Sequence, residues 1–210
     1  MILQPFAGGC RRERPRSVEA TTITRRLHTS KESNPSSGPG GPRGSTNEDD
    51  VKIVACKPAD LTDAEHASFI ELVRAGGEVG GQVLEKNIAN AQALVLLRME
   101  GEIRGIGAVK RPLPSYRKRI GKNANAELSD ADFPYELGYI FIVPEARGQK
   151  LSGLLVAKAL EIVSGSGVFA TARIDNHAMR ASLLKAGFGP AGRPYRGRSS
   201  RTLQIFIKQA

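Results

Sequence analysis

A mixed α/β fold is what this sequence predicts, on three observations. From Val51 onward, short β-rich runs alternate with segments of helical periodicity. Two of the runs, Ala93 to Met99 and Ile103 to Lys110, meet across Glu100-Gly101-Glu102, the pattern of an antiparallel hairpin. A strongly apolar run, Tyr135 to Val143, passes through a tight basic loop into a helix on which Leu154, Leu155, Ala159, Ile162 and Val163 form a broad apolar face.

Each element has its own local cause. Val51 to Cys56 reads as a strand. Thr62 to Ala75 reads as a helix, because Thr62 and Glu65 have capping-box spacing and His66, Ile70 and Val73 share one face. A shorter helix is expected from about Val79 to Ala89. Gly105 and Gly107 in the second hairpin strand point to a bend or a close backbone approach. Residues 111 to 134 carry Pro112, Pro114 and Pro134 and read as a long functional loop or a small helical insertion. Val168 to Arg173 is a strand. Asn176 to Ala186 is a helix closed by Gly187, and Leu203 to Ile207 is the last strand.

Composition narrows the function. The chain has 210 residues, a formal charge of +10 and 40% hydrophobic residues, which fits one domain with a real core plus a tail. Residues 1 to 50 hold eight Lys+Arg against six Asp+Glu and end in the Gly/Pro-rich stretch 34 to 44, so they read as a disordered basic arm and linker before a domain at 51–210. Residues 1 to 31 have the texture of a targeting segment; a plain basic tail, or a start assigned upstream of the true one, looks the same. The expected location is the cytoplasm, or the mitochondrion if that segment is a transit peptide. Two cysteines exclude a disulfide framework, and His28, His66 and His177 lack metal-ligand spacing, so no metal is expected. No apolar run is long enough for a membrane helix, and no membrane partner is expected.

The strand-loop-helix unit at 135–152 carries the chemistry. A loop opening a helix presents converging N–H groups and a positive dipole end, a combination that binds phosphate, with Arg147 and Lys150 as reinforcing charges. Taken alone, a basic loop of this kind also arises simply as a solvated turn.

Glu136-Leu-Gly-Tyr-Ile-Phe-Ile-Val-Pro-Glu-Ala-Arg-Gly-Gln-Lys-Leu-Ser152 resembles the acetyl-CoA-binding motif of the GNAT superfamily of N-acetyltransferases. Asp175-Asn-His-Ala-Met-Arg-Ala-Ser-Leu-Leu-Lys-Ala-Gly-Phe188 resembles that family's later motif, an Asn opening a helix that ends in Gly-Phe. The element order fits over the whole of 51–210. The resemblance implies a mostly antiparallel central sheet flanked by helices, with a splayed strand pair holding the cofactor. It implies acetyl-CoA as co-substrate, its pyrophosphate on the amides of Arg147, Gly148, Gln149, Lys150, Leu151 and Ser152. It places the pantetheine arm along Phe141, Ile142 and Val143, with an N–H of Ile142 or Val143 polarising the thioester carbonyl, and it brings Asn176 to the same cofactor.

Direct attack by an amine calls for a proton acceptor, and the family often has a carboxylate at the position of Glu136. The residues themselves leave Glu136 open between that role and an ion pair with a nearby Lys or Arg. Strand alternation puts Tyr139 on the opposite face from Glu136. Three positions depart from the pattern. Lys150 and Ser152 stand where the loop has Gly and Gly/Ala; Ser152 can cap the next helix and bond an anion. Leu183 stands where a Tyr often protonates the leaving thiolate, which leaves water or another hydroxyl, such as Tyr195.

The expected activity is transfer of an acetyl group from acetyl-CoA to a primary amine in a ternary complex. The competing expectation is a silent acyl-CoA-binding or nucleic-acid-binding module on the same fold. Six cations and no acid lie between Lys110 and Lys122, and seven with no acid follow Asn176. The bland reading is a solvated face, partly answering the phosphates of CoA; the sharper one is an anionic amine acceptor. Nucleic acid is disfavoured by 5% aromatic residues and no Trp. Neither the acceptor nor the oligomeric state is written in the sequence.

Overall fold

The computed structural model describes residues 23–25, 51–77, 82–197 and 200–210. In chain order the elements are β1 (Ile23–Arg25), β2 (Val51–Cys56), α1 (Asp63–Ala75), α2 (Gln82–Ala89), β3 (Ala93–Met99), β4 (Glu102–Lys110), α3 (Pro114–Ala124), β5 (Tyr135–Ile142), α4 (Leu151–Ile162), β6 (Val168–Arg173), α5 (His177–Lys185), β7 (Gly189–Arg196) and β8 (Thr202–Lys208). The strands form one sheet in the order β1-β2-β3-β4-β5-β6-β8-β7. Every neighbouring pair is antiparallel except β5 and β6, which run parallel. The expected mixed, mostly antiparallel sheet flanked by helices is what forms.

Strand alternation separates two layers of core. On β6, Val168, Ala170 and Ala172 join the cluster built on Leu155, Val156 and Ala159 of α4 and Leu183 of α5. Phe169 turns to the opposite face and packs with Ile120 and Ala124 of α3, Phe133, Tyr195 and Ile205. Farther along that same face, Phe69, Ile70 and Val73 of α1 and Leu84 and Ile88 of α2 cover Leu94, Leu96, Ile106 and Ala108. Helices α4 and α5 therefore cover one face of the sheet, and α1, α2 and α3 the other.

The helix ends follow from local chemistry. Thr62 Oγ1 accepts from the Glu65 amide at 3.3 Å while the Thr62 amide donates to Glu65 Oε2 at 2.9 Å, so the capping box forms and holds the Glu65 carboxyl below its usual range. Asn176 caps α5 by accepting from the Met179 amide at 3.0 Å. The ambiguous stretch 111–134 contains α3. Pro114 sits at its first turn, where the missing N–H costs nothing, and Arg117, Ile120, Gly121 and Ala124 recur at helical spacing and are buried. Asn125 closes it in the left-handed region at φ 51°.

Three strand expectations need correction. Ile23–Arg25, inside the segment expected to be a structureless arm, pairs with Val51–Ile53 at the sheet edge. The rest of residues 1–50, with the targeting-like stretch, lies outside the described residues, as do 78–81 ahead of α2. Strand β7 has no β-rich signal, since Pro190 and Pro194 argue against a strand; it occupies the other sheet edge, where prolines are tolerated, and its register shifts between Ala191 and Tyr195. Tyr139 shares a face with Glu136 rather than opposing it. Gly138 pairs with Ala108 and Phe141 with Ile106, so the register shifts across a bulge in which Tyr139 adopts φ 54° and ordinary alternation is broken.

The glycines explain how the sheet bends there. A Cβ on Gly107 would lie 2.7 Å from Ile140 Cδ1, so the close approach anticipated at this position is realised opposite the bulge. Gly167 is more constrained still, because a Cβ there would lie 1.8 Å from the backbone oxygen of Asp132. Gly167→Ala should therefore force β6 away from the segment after α3 and destabilise the protein by about 1–3 kcal/mol. A urea melt checks this, and an unchanged midpoint would mean that the contact carries no packing.

Candidate acyl-transfer site

The site begins where two strands part. β5 and β6 pair only at Tyr135↔Val168, Glu136↔Phe169 and Leu137↔Ala170. Beyond that, β5 stays with β4 as far as Gly105↔Ile142, and β6 stays with β8 as far as Arg173↔Leu203. A wedge opens from Gly138 and Thr171, and it has unpaired backbone along both sides.

The backbone bonds decide which groups face that wedge. The Val143 amide donates to the Arg104 carbonyl at 3.0 Å, so it is already engaged. Antiparallel alternation then turns the N–H and C=O of Ile142 away from β4, toward the wedge. The Ile142 carbonyl accepts from Arg147 Nε at 3.0 Å. Its N–H is left facing the wedge, whereas that of Val143 is not. Phe141 lies beneath the Arg147 guanidinium, 5.5 Å from ring centroid to charge centre. Arg147 is thus folded back over the end of β5 rather than extended into the loop.

The loop itself presents amides. Gly148 adopts φ 84° and Lys150 φ 60°, and α4 starts immediately after Lys150 without a side-chain cap. The Gly153 amide turns back to the Lys150 carbonyl at 3.2 Å, while the amides of Gly148 to Ser152 make no turn or cap bond among the described residues. Such amides at the start of a twelve-residue helix, with its dipole behind them, have the geometry that suits an anion. Lys150 takes the left-handed conformation that explains why glycine is usual there, at a strain of about 1–2 kcal/mol. Ser152 is the second residue of α4 and does not cap it; its hydroxyl lies 3.1 Å from that of Ser182, tying α4 to α5. Gln149 is exposed and Leu151 is buried, so Leu151 can contribute only its backbone. With its Oδ1 committed to capping α5, Asn176 retains its Nδ2 as the free donor.

On the face opposite α4, a polar cluster surrounds the vertex of the wedge. Glu136 is 3% exposed, and its Oε1 accepts from Lys110 Nζ at 3.0 Å and from the Tyr116 hydroxyl at 3.1 Å. The Lys110 ammonium also lies 4.7 Å from the centre of the Tyr139 ring. Burial and the Glu136 carboxylate push the Tyr116 hydroxyl far above the ordinary tyrosine range, so it stays protonated. The Tyr195 hydroxyl is buried without a hydrogen-bond partner among the described residues, and burial followed by Glu136 pushes it up to about 12. Leu183 is 1% exposed and packed in the α4 core, so it offers no proton.

The sequence singled out Glu136 but not its partners. Lys110 ends β4 and lies opposite Glu136 near the start of β5, a register that the intervening residues 111–134 do not announce. Tyr116 gave no signal, because it reaches Glu136 only once 114–124 is folded as a helix. Cys56, whose thiol donates to the Leu94 carbonyl at 3.8 Å, is pushed up to about 11 chiefly by burial and is no nucleophile.

No protein-family model matches this chain, and no curated protein sequence matches it. Solved structures do. An acyl-CoA N-acyltransferase from Pseudomonas aeruginosa superposes with a TM-score of 0.56 at 14% identity, covering 75% of this chain and 99% of that one. NAA60 of Arabidopsis thaliana, solved in complex with acetyl-CoA, gives 0.55 at 13% identity over 75% and 99%. A GNAT-family acetyltransferase from Streptococcus pneumoniae gives 0.53 at 19% identity over 76% and 99%. With its mostly antiparallel sheet, its parting parallel pair and its helices on both faces, this chain has the fold of the GNAT acetyltransferases over about three quarters of its length.

Proposed function

We propose that this protein transfers an acetyl group from acetyl-CoA to a primary amine by direct attack in a ternary complex. The observation that carries the reading is the pairing of a strand wedge with an amide-lined helix start on the α4 face. A long, thin molecule with amides in its middle and phosphates at one end fits both at once. Among the solved structures of this fold, NAA60 was determined with acetyl-CoA.

The residues fit the co-substrate by donor chemistry. The amides of Gly148, Gln149, Lys150, Leu151 and Ser152 would hold the pyrophosphate, with the Lys150 charge beside it and Arg147 fixing the strand end. The backbone of Phe141 to Val143 would pair with the pantetheine arm as an added strand does. The Ile142 N–H is assigned to the thioester oxygen, where negative charge develops during attack. Asn176 would contribute its Nδ2 from the start of α5.

The acceptor is assigned to the other face, where Glu136 is the carboxylate at the vertex. In this assignment Glu136 takes the proton of the attacking amine. Lys110 neutralises its charge when the acceptor is absent, and Tyr116 fixes its orientation. The carbon-nitrogen bond forms as the carbon-sulfur bond breaks. The departing thiolate takes a proton from water or from Tyr195, and a thiol pKa near 8.5 makes it a fair leaving group without a dedicated donor.

A second reading, acyl-CoA binding without turnover, draws on two observations: Leu183 is sealed in the core, and Glu136 already has two partners. The readings part on catalysis. Calorimetry with acetyl-CoA should give saturable binding at one site, and a thiol-release assay over a panel of amines should give free CoA; absence of acetyl-CoA binding would overturn both readings.

Gly148→Leu should weaken acetyl-CoA at least tenfold, because φ 84° is strained for any side chain and relieving it shifts the loop that carries these amides. Gly101→Leu, at φ 82° in the β3–β4 turn, imposes the same backbone strain elsewhere and should leave affinity unchanged. Equal losses in the two variants would move the pyrophosphate off this loop.

Glu136→Gln should lower kcat/KM by about 10²-fold or more and flatten its rise with pH, as loss of a general base does. A normal pH profile with only a lower melting temperature would make Glu136 an anchor for Lys110 and Tyr116 instead.

A further inference from the structure

Much of the positive charge of segment 110–122 is used within the fold. Lys110 pairs with Glu136, and Arg111 donates to the Gln92 side chain. Arg117 pairs with Asp130 at 2.9 Å, and the Arg119 guanidinium lies over the Tyr116 ring. Lys122 does not follow this pattern. It lies at the end of α3 beside β7, on a cleft lined by Lys122, Asn123, Arg193, Pro194, Tyr195 and Arg196. Lys122, Arg193 and Arg196 are exposed, and none has an ion pair among the described residues. No acid lines this cleft.

Position rules out the phosphates of CoA as the reason for this charge. The cleft lies with α3 on the face of the sheet opposite α4, whereas the amides of Gly148 to Ser152 lie at the start of α4. Tyr195 links the cleft to the vertex. It forms part of the cleft wall, is 7% exposed, and its unpartnered hydroxyl is close enough to Glu136 to feel its charge. Three exposed cations lining one open cleft with no acid in its wall suit a compact anion, and arginine forks match phosphate oxygens in pairs.

We propose that this cleft binds the phosphate of a small phosphorylated amine, which is the acyl acceptor. The proposal rests on the acyl-transfer reading above and names its substrate class. Lys122, Arg193 and Arg196 hold the phosphate, and the amine end passes Tyr195 toward Glu136 and the thioester. A nucleic-acid strand is a poorer occupant, because stacking needs an exposed ring; Tyr195 is buried and Tyr116 is covered by Arg119.

The test uses the full chain saturated with acetyl-CoA, so that the α4 loop is filled, and follows backbone amide NMR shifts on addition of inorganic phosphate, O-phosphoethanolamine or ethanolamine. Phosphate and O-phosphoethanolamine should shift the amides of Lys122, Asn123, Arg193, Tyr195 and Arg196, and ethanolamine should not. Arg193→Ala with Arg196→Ala should weaken both phosphate probes at least tenfold and leave acetyl-CoA affinity within twofold. Arg193→Lys with Arg196→Lys, which keeps the charge, should retain part of the binding and guards against misfolding. In the thiol-release assay, O-phosphoethanolamine should exceed ethanolamine in kcat/KM at least tenfold, a preference lost in the double alanine variant. Phosphate binding indifferent to that variant would overturn the proposal. So would a single-stranded RNA 12-mer that binds this cleft more tightly than phosphate and loses affinity steeply with salt. If phosphate binds the cleft but acetyl-CoA binds nowhere, the acyl-transfer reading and the acceptor role both fall. If acetyl-CoA binds and turns over without any phosphate preference, only the acceptor assignment falls.

Discussion

Everything in this molecule depends on the parting of β5 from β6 after three residue pairs. A continuous sheet would satisfy the backbone groups of Ile142 and of the end of β6 with each other. The bulge at Tyr139 prevents that. By placing two residues of β5 against the single Gly107 of β4, it bends the strand away while β4 still holds it on the other side. Gly107 is the permissive element, because any side chain there would press on Ile140. The sheet remains one body, with β4 and β8 each keeping their grip on the diverging strands, and the interruption is confined to its middle.

The wedge sorts the chemistry by face. On the α4 side lie the features suited to an extended, phosphate-bearing molecule: free amides and a helix dipole. On the α3 side lie the groups suited to handling a proton and a charge, with Glu136, Lys110, Tyr116 and Tyr195 around the vertex. The insertion between β4 and β5 supplies Tyr116 and, in Lys122, one of the three cations of the basic cleft. Gly167 lets the end of that insertion, at Asp132 and Phe133, come close against the foot of β6.

How much could be read from the residues varied with the range of the interactions involved. Helices with local signals were legible: the Thr62–Glu65 box, the Asn176 cap and the stripe on α4 each lie within a few residues of the element they specify. The strand-loop-helix unit at 135–152 was legible for the same reason. Strand β7 was not, since Pro190 and Pro194 contradict a strand locally and only an edge position reconciles them. The facing of Tyr139 was misread because alternation assumes a regular strand, and the bulge is fixed by Gly107 some thirty positions earlier. Lys110 and Tyr116 became visible as partners of Glu136 only through register and helix placement, neither of which a linear motif encodes. The departures at Lys150 and Ser152 acquired distinct meanings: one tolerates a glycine-like conformation, and the other became a tie to α5.

A sheet that splits in its interior has four edges rather than two. The outer pair is bounded by the short β1 and by the proline-bearing β7, ordinary defences against strand addition by another chain. The inner pair is guarded by shape alone. A wedge that narrows to the hydrogen-bonded pair Leu137↔Ala170 cannot take in a second protein's strand, whose side chains project on both faces, but it leaves room for a slender polyamide. On the proposed acyl transfer, the feature that would elsewhere invite aggregation becomes a molecular sieve, and selectivity for the donor would begin with the width of a gap before any side chain is consulted.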